Sequence, residues 1–244
     1  MTLKDSDFGP RAIIDSNALK HNLRIVRERA PNSKVLAVVK ANAYGHGIVP
    51  TARALSGADA FGVARLNEAL ALRTAGLAHP IVLLEGVFTR DELDAAAAHR
   101  LEIVLHSFDQ LELLDAWRGS RPMRVWLKID TGMNRLGFRV DDFDQALQRL
   151  RTCKALRDPP RLMTHLACAE EIQNARTSTQ IKKFRDLVDA YALERSIANS
   201  AGLFAWPDAR VEWVRPGLML YGLSPFANQT GVELGLQAAM SLTT

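Results

Sequence analysis

Short apolar runs recur along the chain, each followed by a longer stretch whose apolar residues fall three and four apart. The runs are "VLAVVK" (35–40), "AFGVA" (60–64), "PIVLLEG" (80–86), "LEIVLHS" (101–107), "RVWLKID" (124–130), "RLMTHLA" (161–167), "SIANS" (196–200) and "VEWVRPG" (211–217). Between them, "NEALALRTAG" (67–76) and "STQIKKFRDLVDAYA" (178–192) read as amphipathic helices. Ahead of the first run, Leu19, Leu23, Val26 and Ala30 share a helical face, and Pro31 closes that helix. Eight strand-sized runs separated by helix-sized segments predict an α/β fold, a (β/α)8 TIM-type barrel. The structural competitor is a doubly wound open sheet. It would usually carry a G-x-G-x-x-G turn after its first strand, and none follows residues 35–40.

The two ends stand outside this alternation. "RAIID" (11–15) is strand-like but precedes the first barrel strand, and "LQAAMSLTT" (236–244) reads as the start of another strand. Each has too few neighbours to bury its own apolar face. The expected division is an N-terminal segment over 1–15, a barrel over 16–233, and the truncated start of a second, mostly β domain over 234–244.

Side chains two apart along a strand share a face. Val38 and Lys40 therefore point one way, as do Trp126, Lys128 and Asp130, and again Met163 and His165. If these faces line the barrel, two lysines, an aspartate and a histidine meet at its C-terminal mouth, where such barrels keep their chemistry. Any one strand-end lysine is more often a solvated surface group; convergence at one end of several strands lowers the weight of that reading. Two later segments fall where barrels commonly hold phosphate. "ANSAG" (198–202) brings Asn199, Ser200 and a helix start, while "RPGLMLYG" (215–222) brings Arg215 and the backbone N–H groups of Gly217 and Leu218. Alone, each is a capped loop. Beside a lysine able to condense with a carbonyl, they suggest pyridoxal phosphate.

Composition narrows the setting. The chain has 244 residues, 48% of them hydrophobic, enough for one large core or two small ones. No stretch of about eighteen uncharged apolar residues is present, so no membrane span is expected. The N-terminal "MTLKDSDFGPR" lacks the apolar middle of a secretory signal, and Cys153 and Cys168 form no CxxC pair, which together predict a cytoplasmic protein. The net charge of +4 is spread over helical segments, so no nucleic-acid partner is expected, and no metal site is read.

"AVVKANAYGHG", "KIDTGMNRLGF" and "VRPGLMLYG" are similar to the signature segments of alanine racemase, a fold-type III pyridoxal phosphate enzyme. The resemblance runs in the same order over nearly the whole chain, from "RAIIDSNALKHNL" to "AAMSL". It implies that Lys40 holds the cofactor covalently and later acts as one of two bases. It implies that Tyr44 and Ser200 bind the phosphate with Asn199 and the N–H groups of Gly217 and Leu218. His165 would lie against the pyridine ring and Arg215 would face the ring nitrogen. Arg135 would reach the cofactor phenolic oxygen and the substrate carboxylate, a task suited to a planar guanidinium. Lys128 matches a lysine that in relatives is often carbamylated, giving an anion that could hold Arg135. His46 reads as structural. Asn67 stands where relatives often have an acid, and Glu170 where aspartate is common.

Racemisation by two bases needs a second acid/base on the opposite substrate face. The resemblance assigns it to a tyrosine of the C-terminal β domain, reaching across a homodimer interface. The chain has three tyrosines, Tyr44, Tyr191 and Tyr221, and none matches that base. The expectation is the cofactor-binding barrel of an alanine racemase that supplies D-alanine for peptidoglycan, with little or no activity in this chain alone. Three alternatives stay open: a stand-alone barrel that binds pyridoxal phosphate and regulates its supply, a racemase for another amino acid, and a sugar-phosphate aldolase or isomerase in which Lys40 condenses directly with substrate.

Overall fold

The computed structural model describes residues 9–119 and 121–243. Residues 1–8 of the expected N-terminal segment, and Thr244, lie outside the described residues. The strands are β1 (Arg11–Ile14), β2 (Lys34–Val38), β3 (Ala60–Val63), β4 (Ile81–Leu83), β5 (Glu102–Leu105), β6 (Val125–Asp130), β7 (Phe138–Arg139), β8 (Arg161–Met163), β9 (Arg195–Ser196), β10 (Trp213–Val214) and β11 (Met240–Thr243). Parallel pairing runs β5–β4–β3–β2–β10–β9–β8–β6, and β6 pairs back onto β5. The ring is closed, so the chain is a (β/α)8 barrel and the open-sheet alternative is excluded. The short β7 pairs with the end of β6.

Alternation along each strand divides the apolar residues between two cores. Val35, Ala37, Val125, Leu127 and Leu162 face the surrounding helices. Leu36, Val38, Ala60, Val82, Val104, Trp126, Met163 and Trp213 fill the barrel. Near the N-terminal end of the barrel strands, the Arg161 guanidinium lies 5.0 Å from the Trp126 ring centroid and 4.6 Å from that of Trp213. It also pairs with Glu102 at 3.0 Å and Glu194 at 2.5 Å. Burial of a charge is tolerable here because every face of the guanidinium has a partner.

Helix α1 (Ser16–Arg29) is capped by Asp15, whose carboxylate accepts the Asn17 and Ala18 N–H groups. The predicted stop at Pro31 agrees with this end. The segments read as helices over 67–76 and 178–192 form helices at Leu66–Thr74 and Ala175–Val188. Strand ends differ most from expectation: the first barrel strand stops at Val38, two residues before Lys40. β1 and β11 pair antiparallel with each other, Arg11 opposite Thr243 and Ile14 opposite Met240. The two end segments thus make a small sheet of their own outside the barrel, with Ile13 and Leu242 exposed. No described helix is long and apolar enough to cross a membrane.

Candidate active site

The chain leaves β2 and turns abruptly at Lys40. Ala41, Asn42, Ala43 and Tyr44 all adopt left-handed backbone angles, with φ of 54°, 52°, 55° and 52°. Each such L-residue costs roughly 1–2 kcal/mol, so the segment must be held from outside. Asn42 provides much of that restraint. Its N–H donates to Glu68 at 3.3 Å, its side-chain oxygen accepts from Ile48 at 2.9 Å, and its carbonyl accepts from Gly47 at 3.0 Å. Apolar packing helps too, since Ala43 is fully buried. Gly45 and Gly47, with φ of 87° and 84°, are where residue type alone would put the tight turn. The structure begins it earlier, on residues with no glycine among them.

This left-handed turn directs both the Lys40 amine and the Tyr44 ring into one cavity of about 520 Å3 at the C-terminal mouth of the barrel. Tyr44 stacks on Tyr221 with 4.9 Å between ring centroids, and His46 packs on Tyr221 at 4.6 Å. The Tyr221 hydroxyl donates to the Val38 carbonyl at 3.0 Å. Burial pushes the phenols of Tyr44 and Tyr221 upward, so both stay protonated at neutral pH. The Tyr44 hydroxyl has no hydrogen-bond partner among the described residues.

From β6, Lys128 faces the cavity and Asp130 ends the strand. The Asp130 carboxylate accepts the Gly132 and Met133 N–H groups at 2.8 Å each and that of Arg135 at 3.2 Å. Burial works to raise its pKa, but the backbone donors outweigh that and hold it below the usual carboxylate range. The loop so folded carries Arg135 to the cavity. Burial, with Arg215 and Arg135 nearby, lowers the Lys128 pKa from 10.5 to about 8.

Arg215 is buried and held from several sides. It donates to Ser196 Oγ at 2.6 Å, to the Thr164 carbonyl at 2.5 Å and to the Ile197 carbonyl at 3.3 Å, and Nη2 lies 3.4 Å from His165 Nδ1. Burial lowers its pKa to about 10, which still leaves it charged at neutral pH. His165 is shifted well down, first by burial and then by Arg215 and Lys128, so its imidazole is neutral. Ser200 Oγ accepts the Gly217 N–H at 3.0 Å and that of Met219 at 3.3 Å, which leaves its own proton available. Asn199 caps the helix Ser200–Ala205 through the Gly202 N–H at 2.9 Å. Its amide oxygen is therefore already engaged.

Lys40, Tyr44, Lys128, Arg135, His165, Asn199, Ser200, Arg215, Gly217 and Leu218 all line this single cavity. Sequence reasoning did not single out Leu84, Glu85, Leu136 or Pro225, which line it as well. Glu85 had a usable signal, because it ends the apolar run 80–86; Pro225 lies beyond the last strand and had none. Four cations face the space against the carboxylates of Glu85 and Glu170, so the cavity suits an anionic guest.

The donor set fits pyridoxal phosphate. A Cβ on Gly217 would lie 2.7 Å from the Tyr44 hydroxyl, so only glycine lets that backbone approach the phenol so closely. The unpartnered Tyr44 hydroxyl, the Ser200 hydroxyl and the Leu218 N–H form a cradle of the kind a phosphate requires, whereas the Gly217 N–H expected to join them is already given to Ser200. Lys40 supplies the amine an aldehyde requires.

Fold and site together define a (β/α)8 barrel with an anion-accepting, lysine-bearing mouth. A family model described as alanine racemase, N-terminal domain, matches residues 14–225, and the chain belongs to that family. It is 52% identical over 235 residues to an alanine racemase of Nitrosococcus oceani and 46% identical over 233 residues to one of Aliivibrio salmonicida. Each match covers 96% of this chain but only 66% and 65% of the relatives, slightly less than two thirds of their length. Among solved structures, the biosynthetic alanine racemase of Pseudomonas aeruginosa superposes with a TM-score of 0.92 at 41% identity, covering 96% of this chain and 65% of that one. The alanine racemase of Acinetobacter baumannii gives 0.89 at 36% identity, with the same coverage.

Proposed function

We propose that this chain forms the cofactor-binding barrel of a pyridoxal-phosphate-dependent alanine racemase, an isomerase that interconverts L- and D-alanine. The observation that carries this reading is the convergence of the Lys40 amine, a hydroxyl-and-amide cradle and four cations in one cavity. The racemase names of relatives up to 52% identical support it.

When bound, pyridoxal phosphate withdraws electrons from an amino acid's Cα and so makes its proton acidic. The protein's share is placement and proton handling. Lys40 would hold the cofactor, and once released its amine would take or return the Cα proton on one face. Tyr44, kept protonated by burial, would donate to the phosphate together with Ser200. Leu218 would add its backbone N–H, and Asn199 would contribute by fixing the helix start beneath Ser200. His165, neutral in this setting, would offer a flat face to the ring without adding charge. Arg215 would face the ring nitrogen. A guanidinium that keeps its own proton gives none to that nitrogen, which limits charge delocalisation and disfavours transamination. Arg135 would engage the substrate carboxylate, and Lys128, as an amine or a carbamate, would set the charge beside it.

The opposite face needs a second acid/base. Tyr191 donates to Asp144 at 3.1 Å, and Tyr221 is committed to Val38, so neither serves. The relatives extend through another third of their length, and the second base, the homodimer and the alanine pocket are assigned to the whole protein. Cytoplasmic location and D-alanine supply for peptidoglycan belong to the same proposal. The test is a titration of this chain with pyridoxal phosphate. Absorbance at about 420 nm should develop and be lost in Lys40→Ala, as covalent attachment requires; no band, or an unchanged band in the variant, overturns the reading.

A further inference from the structure

Asn22 lies on α1, on the outer side of the barrel, and is fully buried. Its side-chain amide is completely used. Nδ2 donates to the Leu220 carbonyl at 3.0 Å and to the Gln237 carbonyl at 2.7 Å, and Oδ1 accepts the Gln237 N–H at 2.8 Å. The first of these groups belongs to the turn Leu218–Tyr221, which directly continues the Gly217–Leu218 backbone at the cavity. The others belong to the segment that leads into β11.

The two segments also meet directly. The Ala239 N–H donates to the Tyr221 carbonyl at 3.1 Å, and the Asp15 N–H donates to the Ala239 carbonyl at 2.9 Å. At Gly222, with φ at +85°, an added Cβ would lie 2.1 Å from the Gln237 carbonyl oxygen, so the chains cross in contact. The crossing leaves main-chain groups that no helix or strand pairs. Two carbonyls need donors and one N–H needs an acceptor. A primary amide is the side chain that offers two donors and an acceptor at once, and asparagine has the short reach needed from a helix packed this closely. Aspartate would keep the acceptor and lose both donors.

We infer that Asn22 is a positioning residue for phosphate binding: it pins the 217–221 turn against the strand segment at 236–239, and so fixes the cradle from behind without touching the cofactor. This rests on the cofactor reading above. It further implies that displacement of the β1–β11 sheet reaches the phosphate cradle through this amide and the neighbouring Ala239–Tyr221 bond.

The discriminating comparison is Asn22→Asp against the unaltered 244-residue chain, with pyridoxal phosphate and with pyridoxal, which lacks the phosphate. The affinity for pyridoxal phosphate should fall about tenfold, the change expected from loss of one hydrogen bond's worth of positioning, while that for pyridoxal stays within about twofold. A general loosening of the fold would lower both together, and that result, or no change in either, overturns the inference. Hydrogen exchange gives a readout that needs no cofactor. In the cofactor-free chain, exchange across 217–222 should quicken in Asn22→Asp while β4 and β5 stay unchanged; equal protection overturns the inference. If the aspartate variant does not fold, Asn22→Ser, which retains a hydroxyl donor, is read by the same two measurements. Failure of the unaltered chain to prefer pyridoxal phosphate over pyridoxal would instead sink the cofactor reading, and the exchange experiment would still decide the role of Asn22.

Discussion

Lys128 brings its amine into a cavity that already holds Lys40, Arg135 and Arg215. Folding lowers its pKa from 10.5 to about 8, so between those values the unfolded chain holds a proton that the folded chain has released. Stability from this group therefore climbs as pH rises from 8 to 10.5, and at neutral pH the full penalty of a charged Lys128 is present. Lys128→Met should raise the stability of the cofactor-free chain at pH 7 by up to about 3 kcal/mol in CO2-free buffer. Carbon dioxide would convert the neutral amine to an anion, so added bicarbonate should narrow the difference. Thermal melts with and without bicarbonate check both; a destabilised variant would contradict this account of the site's charge. The inward direction of Lys128 was legible, because Trp126, Lys128 and Asp130 alternate with apolar Val125, Leu127 and Ile129. Of its charged neighbours, Lys40 and Asp130 were legible from the same alternation and Arg135 from the resemblance; the closeness of Arg215, which follows the last barrel strand, was not.

The turn after β2 is the element on which the site depends. Four successive residues sit in a backbone region that L-amino acids disfavour, and among them Ala43 is fully buried. Ala43→Val should cost at least about 2 kcal/mol, since a β-branched side chain is excluded at a φ of 55°. Ala43→Gly should be neutral or stabilising by a few tenths of a kcal/mol to about 1, because glycine accepts that conformation freely. Urea denaturation of both variants is the check, and a well-tolerated valine would contradict the left-handed geometry. No propensity rule could have found this element. Alanine and tyrosine read as right-handed helix or strand, and the restraint comes from Asn42 contacts to Glu68 and Ile48. The predicted barrel strands, in contrast, stood out because a short continuous apolar run is a property of each segment by itself.

Across the whole molecule, the barrel is closed at its inner end by charge. Arg161 sits between Trp126 and Trp213, and Glu194 pairs with it and with Lys34. Partial burial works to raise the Glu194 pKa, yet bonds from Lys34, Trp213 and Arg161 bring it from 4.5 to about 2. Its contribution to stability is therefore complete above pH 4.5 and is lost as pH falls towards 2. Denaturation midpoints should drop over that window, and Glu194→Gln should flatten the drop; an identical acid limb in the variant would contradict the assignment. The sequence placed Trp126 inward but gave no sign of this clamp, whose members come from segments far apart along the chain. The pairing of β1 with β11 was likewise hidden, because each end strand was legible only as a piece lacking a neighbour.

Two lysines, Lys40 and Lys128, line the cavity, and the account requires the cofactor to choose the first. Borohydride reduction of the chain loaded with pyridoxal phosphate, followed by peptide mapping, tests that choice directly. The predicted result is a pyridoxyl group on Lys40 alone; label on Lys128, or none on either, would contradict it.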